Sequence, residues 1–172
     1  MATINSTLIS GAGAFTALLP LLAGKRRILL VTDANVGKLD AAQQIRALLE
    51  DEGRQLQVMD SVPAEPSQHD MAQILRLVSA NQAELIVGIG GGSVLDVTKL
   101  LSVLLHPRSP GLDALLAGEK PQQKVTSLLI PATAGTGSEA TPNAILAIPE
   151  QNTKVGIISP VLLPDYVAYC RN

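Results

Sequence analysis

Apolar residues along this chain fall into two alternating kinds of segment. RILLVT (27–32), LQVM (56–59), ELIVGI (84–89) and SLLIPA (127–132) have strand length. The first, third and fourth are almost unbroken, the pattern of strands covered on both faces in a parallel sheet. Between them, apolar residues recur at helical spacing. In 38–51, Leu39, Ala42, Ile45, Leu48 and Leu49 form one stripe that Gly53 ends. In 67–80, Met71, Ile74, Leu75 and Val78 do the same, with Ser67 after Pro66 as the expected cap. A third stripe, Val94, Leu95, Val97, Leu100, Leu101 and Leu104, follows a run of glycines. This alternation predicts right-handed crossovers and a doubly wound, Rossmann-like α/β fold with a mostly parallel sheet. From about residue 144 the pattern shortens to AILAI (144–148), KVGII (154–158) and YVAYC (166–170), of which the first two predict a small β-hairpin extension.

Length and composition narrow the class. The 172 residues suit one domain, here taken as 1–172 with its β-rich tail. Hydrophobic residues make up 47% and charged ones 16%, which excludes a disordered chain. No apolar run reaches the roughly 18 residues of a membrane span. The net charge of -2, with both signs dispersed, gives no footprint for nucleic acid or an anionic membrane. Aromatics are only 2%, so no stacking platform for single-stranded nucleic acid is available. The lone Cys170 makes no internal disulfide and the first residues lack signal-peptide character, so a cytoplasmic setting is expected.

The chemistry gathers at two loops. Leu85 to Leu101, LIVGIGGGSVLDVTKLL, reads as strand, glycine-rich turn and helix. Helix N-termini leave backbone N–H groups unpartnered and carry partial positive charge, and bare glycines let a phosphate approach them. The triplet Gly90–Gly92 therefore serves either a turn that no Cβ allows or a pyrophosphate lying on the main chain. Ser93 is the expected N-cap, with Asp96 three residues on completing a capping-box pattern. Neither the G-x-G-x-x-G fingerprint nor the P-loop fits, because Ser93 stands where the first wants glycine and the second wants lysine. The second loop, PATAGTGSEATPN (131–143), leaves a neighbouring strand and carries Thr133, Thr136, Ser138 and Thr141. In a doubly wound sheet such loops face one crevice, where these hydroxyls suit phosphate and sugar oxygens; taken alone they are an ordinary polar loop. Asp33 ends ILLVTD and reads equally as an acceptor for adenosine ribose hydroxyls, favouring NAD over NADP, or as an Asx-turn or helix cap.

GGGSVLD (90–96) and PATAGTGSEAT (131–141) together resemble the iron-dependent (group III) alcohol dehydrogenases, whose pattern is G-G-G-S-x-x-D followed by P-T-T-x-G-T-G-S-E-x-T. GAGAFTALLPLLAGKRRILLVTD, Lys154 and LLPD (162–165) extend the likeness over nearly the whole chain. The resemblance implies an NAD-binding domain, with Asp33 on the adenosine ribose, Gly91, Gly92 and Ser93 on the pyrophosphate, and Asp96 near the nicotinamide-side ribose. It implies Thr133, Thr136 and Ser138 along the phosphate and ribose path, Asn143 and Lys154 at the nicotinamide half, and Leu163 by the adenosine. Two positions depart from the pattern: Ala132 replaces a threonine, and Glu65 in PAEPS replaces the usual asparagine and puts an acid near the cofactor edge.

Family members also carry a second, all-helical half whose one aspartate and three histidines hold a divalent metal, Fe or Zn, that polarises the alcohol or aldehyde oxygen during hydride transfer. His69 and His106 lack ligand spacing, so this chain is expected to lack that helical domain and its metal ligands. The resulting expectation is a truncated NAD(P)-binding domain of an alcohol dehydrogenase-like oxidoreductase, inactive alone and self-associating through an exposed apolar face. A noncatalytic nucleotide-binding module and an assembly module remain as alternatives.

Overall fold

Neighbouring residues of a strand face opposite sides of its sheet, and here both sides are covered. In β2 (Arg27–Val31) Ile28 and Leu30 join one core while Leu29 and Val31 join the other; in β4 (Leu85–Gly90) Leu85, Val87 and Ile89 face the first and Ile86 the second. That two-sided burial is why these runs are continuous rather than alternating. The computed structural model describes residues 7–10, 14–132 and 137–169.

Among the described residues the main sheet has six strands, all parallel. With β1 (Thr7–Ser10), β3 (Gln55–Met59), β5 (Thr126–Pro131) and β8 (Tyr166–Tyr169), its order is β1-β8-β5-β4-β2-β3. The doubly wound expectation holds. Helix α3 (Asp40–Glu50) carries β2 to β3 across one face, where its Ala42, Ile45 and Leu49 meet Leu18 and Leu22 from the region of α1 (Ala14–Ala17) and α2 (Leu19–Leu22). Helices α4 (Gln68–Val78) and α5 (Gly92–Leu104) cover the other. The winding thus reverses between β2 and β4. The chains leaving their carboxyl ends run to opposite faces of the sheet, the arrangement that opens a crevice at the switch point of doubly wound sheets.

The tail divides. β6 (Asn143–Ile148) and β7 (Thr153–Ile158) form the expected antiparallel hairpin, which packs Ala144, Leu146 and Ile157 onto the α5 core. The third short run is separate from it: β8 returns to the main sheet between β1 and β5. Asp165 secures this entry, its carboxylate accepting from Ser127 N and from Lys124 Nζ, while its own N–H donates to Ser127 O. Helix α6 (Leu112–Leu116) adds Leu112 and Leu115 to the α5 side.

Of the two expected serine caps, the structure keeps one. Ser67 caps α4 in a reciprocal capping box, its Oγ accepting from Asp70 N while the Asp70 carboxylate accepts from Ser67 N. Ser93 does not cap α5. The N-cap is Gly91 (φ -84°, ψ -166°), which makes no side-chain cap bond, and Ser93 already lies within the helix. The Ser93 hydroxyl is engaged elsewhere, accepting from Glu65 N at 3.1 Å.

Close packing accounts for part of the glycine run. A Cβ on Gly90 would stand 2.7 Å from the Val94 Cβ, and one on Gly88 would collide with the Thr98 side chain. None of Gly90, Gly91 and Gly92 has positive φ, so the turn itself does not demand them. Sandwiched between sheet and hairpin, α5 buries residues on every side, including Thr98, Lys99 and Ser102. The Thr98 and Ser102 hydroxyls donate back to Val94 O and Lys99 O, which removes the cost of burying them.

Candidate active site

At the switch point the chain leaving β2 turns sharply. Asp33 Oδ1 accepts from Asn35 N and Val36 N, the Asx-turn that was one of its two readings. The bond uses one carboxylate oxygen. Asp33 lines a concavity with Asn35, Pro63, Gly91, Gly92 and Ser93, so the acidic group and the glycine turn share one surface. Within it, the first α5 N–H to find a main-chain partner is that of Leu95, which donates to Gly91 O. The preceding amides of Gly92, Ser93 and Val94 carry the positive end of a thirteen-residue helix dipole.

A second concavity continues from the first over Gly92 and Ser93, which line both. Its walls are Glu65 and Pro66 from the loop after β3, Asp96 on α5, and Ile145 and Lys154 on the hairpin. Alternation along the hairpin explains the last two: Ala144, Leu146 and Ile157 point into the core, so the facing set that includes Ile145 and Lys154 points outward. Lys154 Nζ lies 3.0 Å from Glu65 Oε1.

The second loop comes to the same place by pairing. Pro131 ends β5 opposite Gly90, and Ala132 N donates to Gly90 O. Beyond residues 133–136, Ser138 Oγ donates to Asp96 Oδ1 at 2.5 Å, and Asp96 Oδ2 accepts from Ile145 N at 3.1 Å. Asp96 therefore ties α5 to loop and hairpin instead of completing a capping box. Beneath it the Lys99 ammonium is fully buried, donating to Ser138 O, Thr141 O and Asn143 O, with Asp96 Oδ1 at 3.3 Å. Burial lowers the Lys99 pKa, while the charges of Asp96 and Glu139 act against that shift. With its hydrogen bonds directed at three carbonyls and the Thr141 hydroxyl, Lys99 fixes the position of residues 138–143. Tyr169 OH donates to the buried Glu139 carboxylate, and burial followed by that charge raises the tyrosine pKa.

The structure thus brings together Asp33, Gly91, Gly92, Ser93, Asp96 and Lys154 along one continuous surface, with Ser138 and the Asn143 carbonyl against its Asp96 end. Thr133 and Thr136 lie outside the described residues. Leu163 is not brought there. It precedes β8 beside the start of β5, where Asp165 meets Ser127, whereas Gly91 follows the carboxyl end of β4. Sequence reasoning missed Pro63, Pro66 and Ile145 as walls; the outward register of the hairpin was the only signal for Ile145. Among the described residues no group of three or more His, Cys, Asp or Glu can hold a metal ion. His69 instead pairs with Glu150 at the hairpin turn, and His106 Nδ1 accepts from Arg108 N. No described helix is long and apolar enough to cross a membrane.

A family model for iron-containing alcohol dehydrogenases matches residues 5–169. Long-chain-alcohol dehydrogenase 1 of Geobacillus thermodenitrificans is 32% identical over 160 residues, covering 90% of this chain and 40% of its own length. An iron-containing alcohol dehydrogenase structure from Thermotoga maritima superposes with a TM-score of 0.86 at 27% identity, over 99% of this chain and 47% of that one. Sulfoacetaldehyde reductase from Bifidobacterium kashiwanohense, solved with NAD+, shares the fold at TM-score 0.85 and 22% identity, over 99% and 46% of the two chains. The chain spans less than half the length of these relatives.

Proposed function

Because the chain belongs to the iron-containing alcohol dehydrogenase family, we propose that it is the nicotinamide-dinucleotide-binding part of an oxidoreductase that moves hydride between a small alcohol or aldehyde and NAD. The observation that carries this reading is the shared crevice of Asp33 and Gly91–Ser93, where an acidic side chain and uncommitted helix amides face one surface at the switch point. A diphosphate suits those amides, which offer donors and a favourable dipole without a lysine. The free Asp33 oxygen suits ribose hydroxyls and repels a 2′-phosphate. The neighbouring concavity, with Asp96 and Lys154, then receives the nicotinamide half.

Bound there, the nicotinamide ring supplies the hydride chemistry. The residues of this chain bind and orient it: α5 holds the charged middle, Asp33 holds one end, and the outward face of the hairpin borders the other. The described residues do not fit a metal, so no metal-assisted step is assigned to them.

Titration with NADH, followed by nicotinamide fluorescence, tests the reading. Saturable binding that is lost in Gly92→Asp supports it, since the substitution places a carboxylate where the pyrophosphate belongs. A wild-type chain that fails to bind at millimolar NADH sinks it and leaves the assembly role. Self-association belongs to the same proposal and is supported by exposed Ile158 on the outer face of the hairpin. Sedimentation as a clean monomer at high concentration would remove it.

A further inference from the structure

The loop after β3 makes a contact that the reading above leaves unused. Glu65 has a left-handed backbone (φ 47°), a conformation in which asparagine is favoured and glutamate is not. Its N–H is held by Ser93 Oγ at 3.1 Å, over the first turn of α5. From there its carboxylate reaches Lys154 Nζ at 3.0 Å. The hairpin end of this contact is anchored, because Ala147, the register partner of Lys154, donates its N–H to Pro66 O at 3.0 Å. The hydrogen bond from Glu65 to Ser93 therefore lies where the two concavities meet, and the ion pair lies on the wall of the second.

We propose that Glu65 sets the affinity of this groove for anions: it holds the Lys154 ammonium in an ion pair that a bound dinucleotide must break, and it presents a negative charge beside the helix amides that bind phosphate. The inference rests on the dinucleotide reading above. Both side chains are largely exposed, 57% for Lys154 and 76% for Glu65, so the pair is weak enough to open on binding. A like charge within several ångströms of a diphosphate nonetheless opposes it in proportion to the ligand's charge. Glu65 is thus a specificity-determining residue that disfavours more highly charged ligands, NADPH more than NADH, and keeps affinity moderate.

The test titrates the full chain with NADH, NADPH and inorganic pyrophosphate, comparing wild type with Glu65→Gln and Lys154→Gln at low and high salt. Glu65→Gln retains the backbone contact to Ser93 and removes only the charge. It is expected to bind NADH about three- to tenfold more tightly at low salt, NADPH and pyrophosphate by a larger factor, with the gain shrinking as salt screens the charges. Lys154→Gln is expected to lose affinity for all three. Wild-type binding with no gain in Glu65→Gln, or a gain independent of salt and of ligand charge, overturns the inference and leaves the dinucleotide reading intact. Silence from the wild-type chain at millimolar NADH overturns both. Unchanged circular dichroism and melting temperature establish that the variants are folded.

Discussion

Ser138 and Asp96 are joined by a 2.5 Å hydrogen bond between a loop leaving β5 and the second turn of α5, and Asp96 spends its other oxygen on Ile145 N. One carboxylate therefore fixes two segments against a third, above the buried Lys99 ammonium. Asp96→Ala strips that ammonium of its nearest counter-charge and is expected to lower the unfolding free energy by ~3 kcal/mol. Ser138→Ala removes one bond and is expected to cost ~1 kcal/mol. Urea denaturation measures both; equal small losses would show that Asp96 does not organise this junction.

Asp33 offers a cleaner separation of structure from binding. Asn in its place still accepts from Asn35 N and Val36 N, so Asp33→Asn should preserve the turn and shift the melting temperature by no more than about 2 °C. Losing the charge should weaken NADH by about tenfold and narrow the preference over NADPH. A variant whose NADH affinity is untouched would remove Asp33 from the ribose site.

The glycines before α5 are predicted to differ in tolerance. Gly90→Ala forces its new methyl against Val94, at an expected ~1–3 kcal/mol, and Gly88→Ala forces one against Thr98 at no smaller cost. Both helix and strand are buried there, so neither can retreat cheaply. Chemical denaturation that finds either substitution neutral would refute the close approach of α5 to β4.

Lys99 gives a pH signature. Burial lowers its pKa beneath 10.5, so between the folded value and 10.5 the unfolded chain binds more protons than the folded one. Stability from this group therefore rises with pH across that window. Lys99→Met lacks the effect, so the wild-type advantage over the variant should grow as pH climbs toward 10.5. The Lys124 pKa is also lowered by burial, but Lys124 is present in both proteins and cancels in the difference. Urea midpoints for both proteins at stepped alkaline pH check the prediction, and a flat difference would contradict it.

The strands that sit deepest are the most legible in the sequence, because burial on both faces writes an unbroken apolar run, as from Ile28 to Val31 and from Leu85 to Val87. Helices α3 and α4 are legible through their stripes, and Ser67 through its local box with Asp70. What escapes depends on distant partners. β1 has four residues and exists by pairing with β8 at the other end of the chain, and 166–170 shows its strand character but not its sheet. The cap expected at Ser93 fails because the pattern it makes with Asp96 is local, whereas their actual partners, Glu65, Ser138 and Ile145, come from three other segments. Within the groove, the glycines and Asp33 announce themselves by type. Leu163 does not follow them, since a leucine after a hairpin carries no mark of which end of the sheet it will reach.

The hairpin is sewn to the loop after β3 at Ala147 and Pro66, and again where Gln68 and His69 meet Glu150. The hairpin and the segment that carries Glu65 are thereby joined directly, at the end of β6 and in the turn that follows it. One wall of the groove is thus held to the other by main-chain and side-chain bonds that belong to neither sheet.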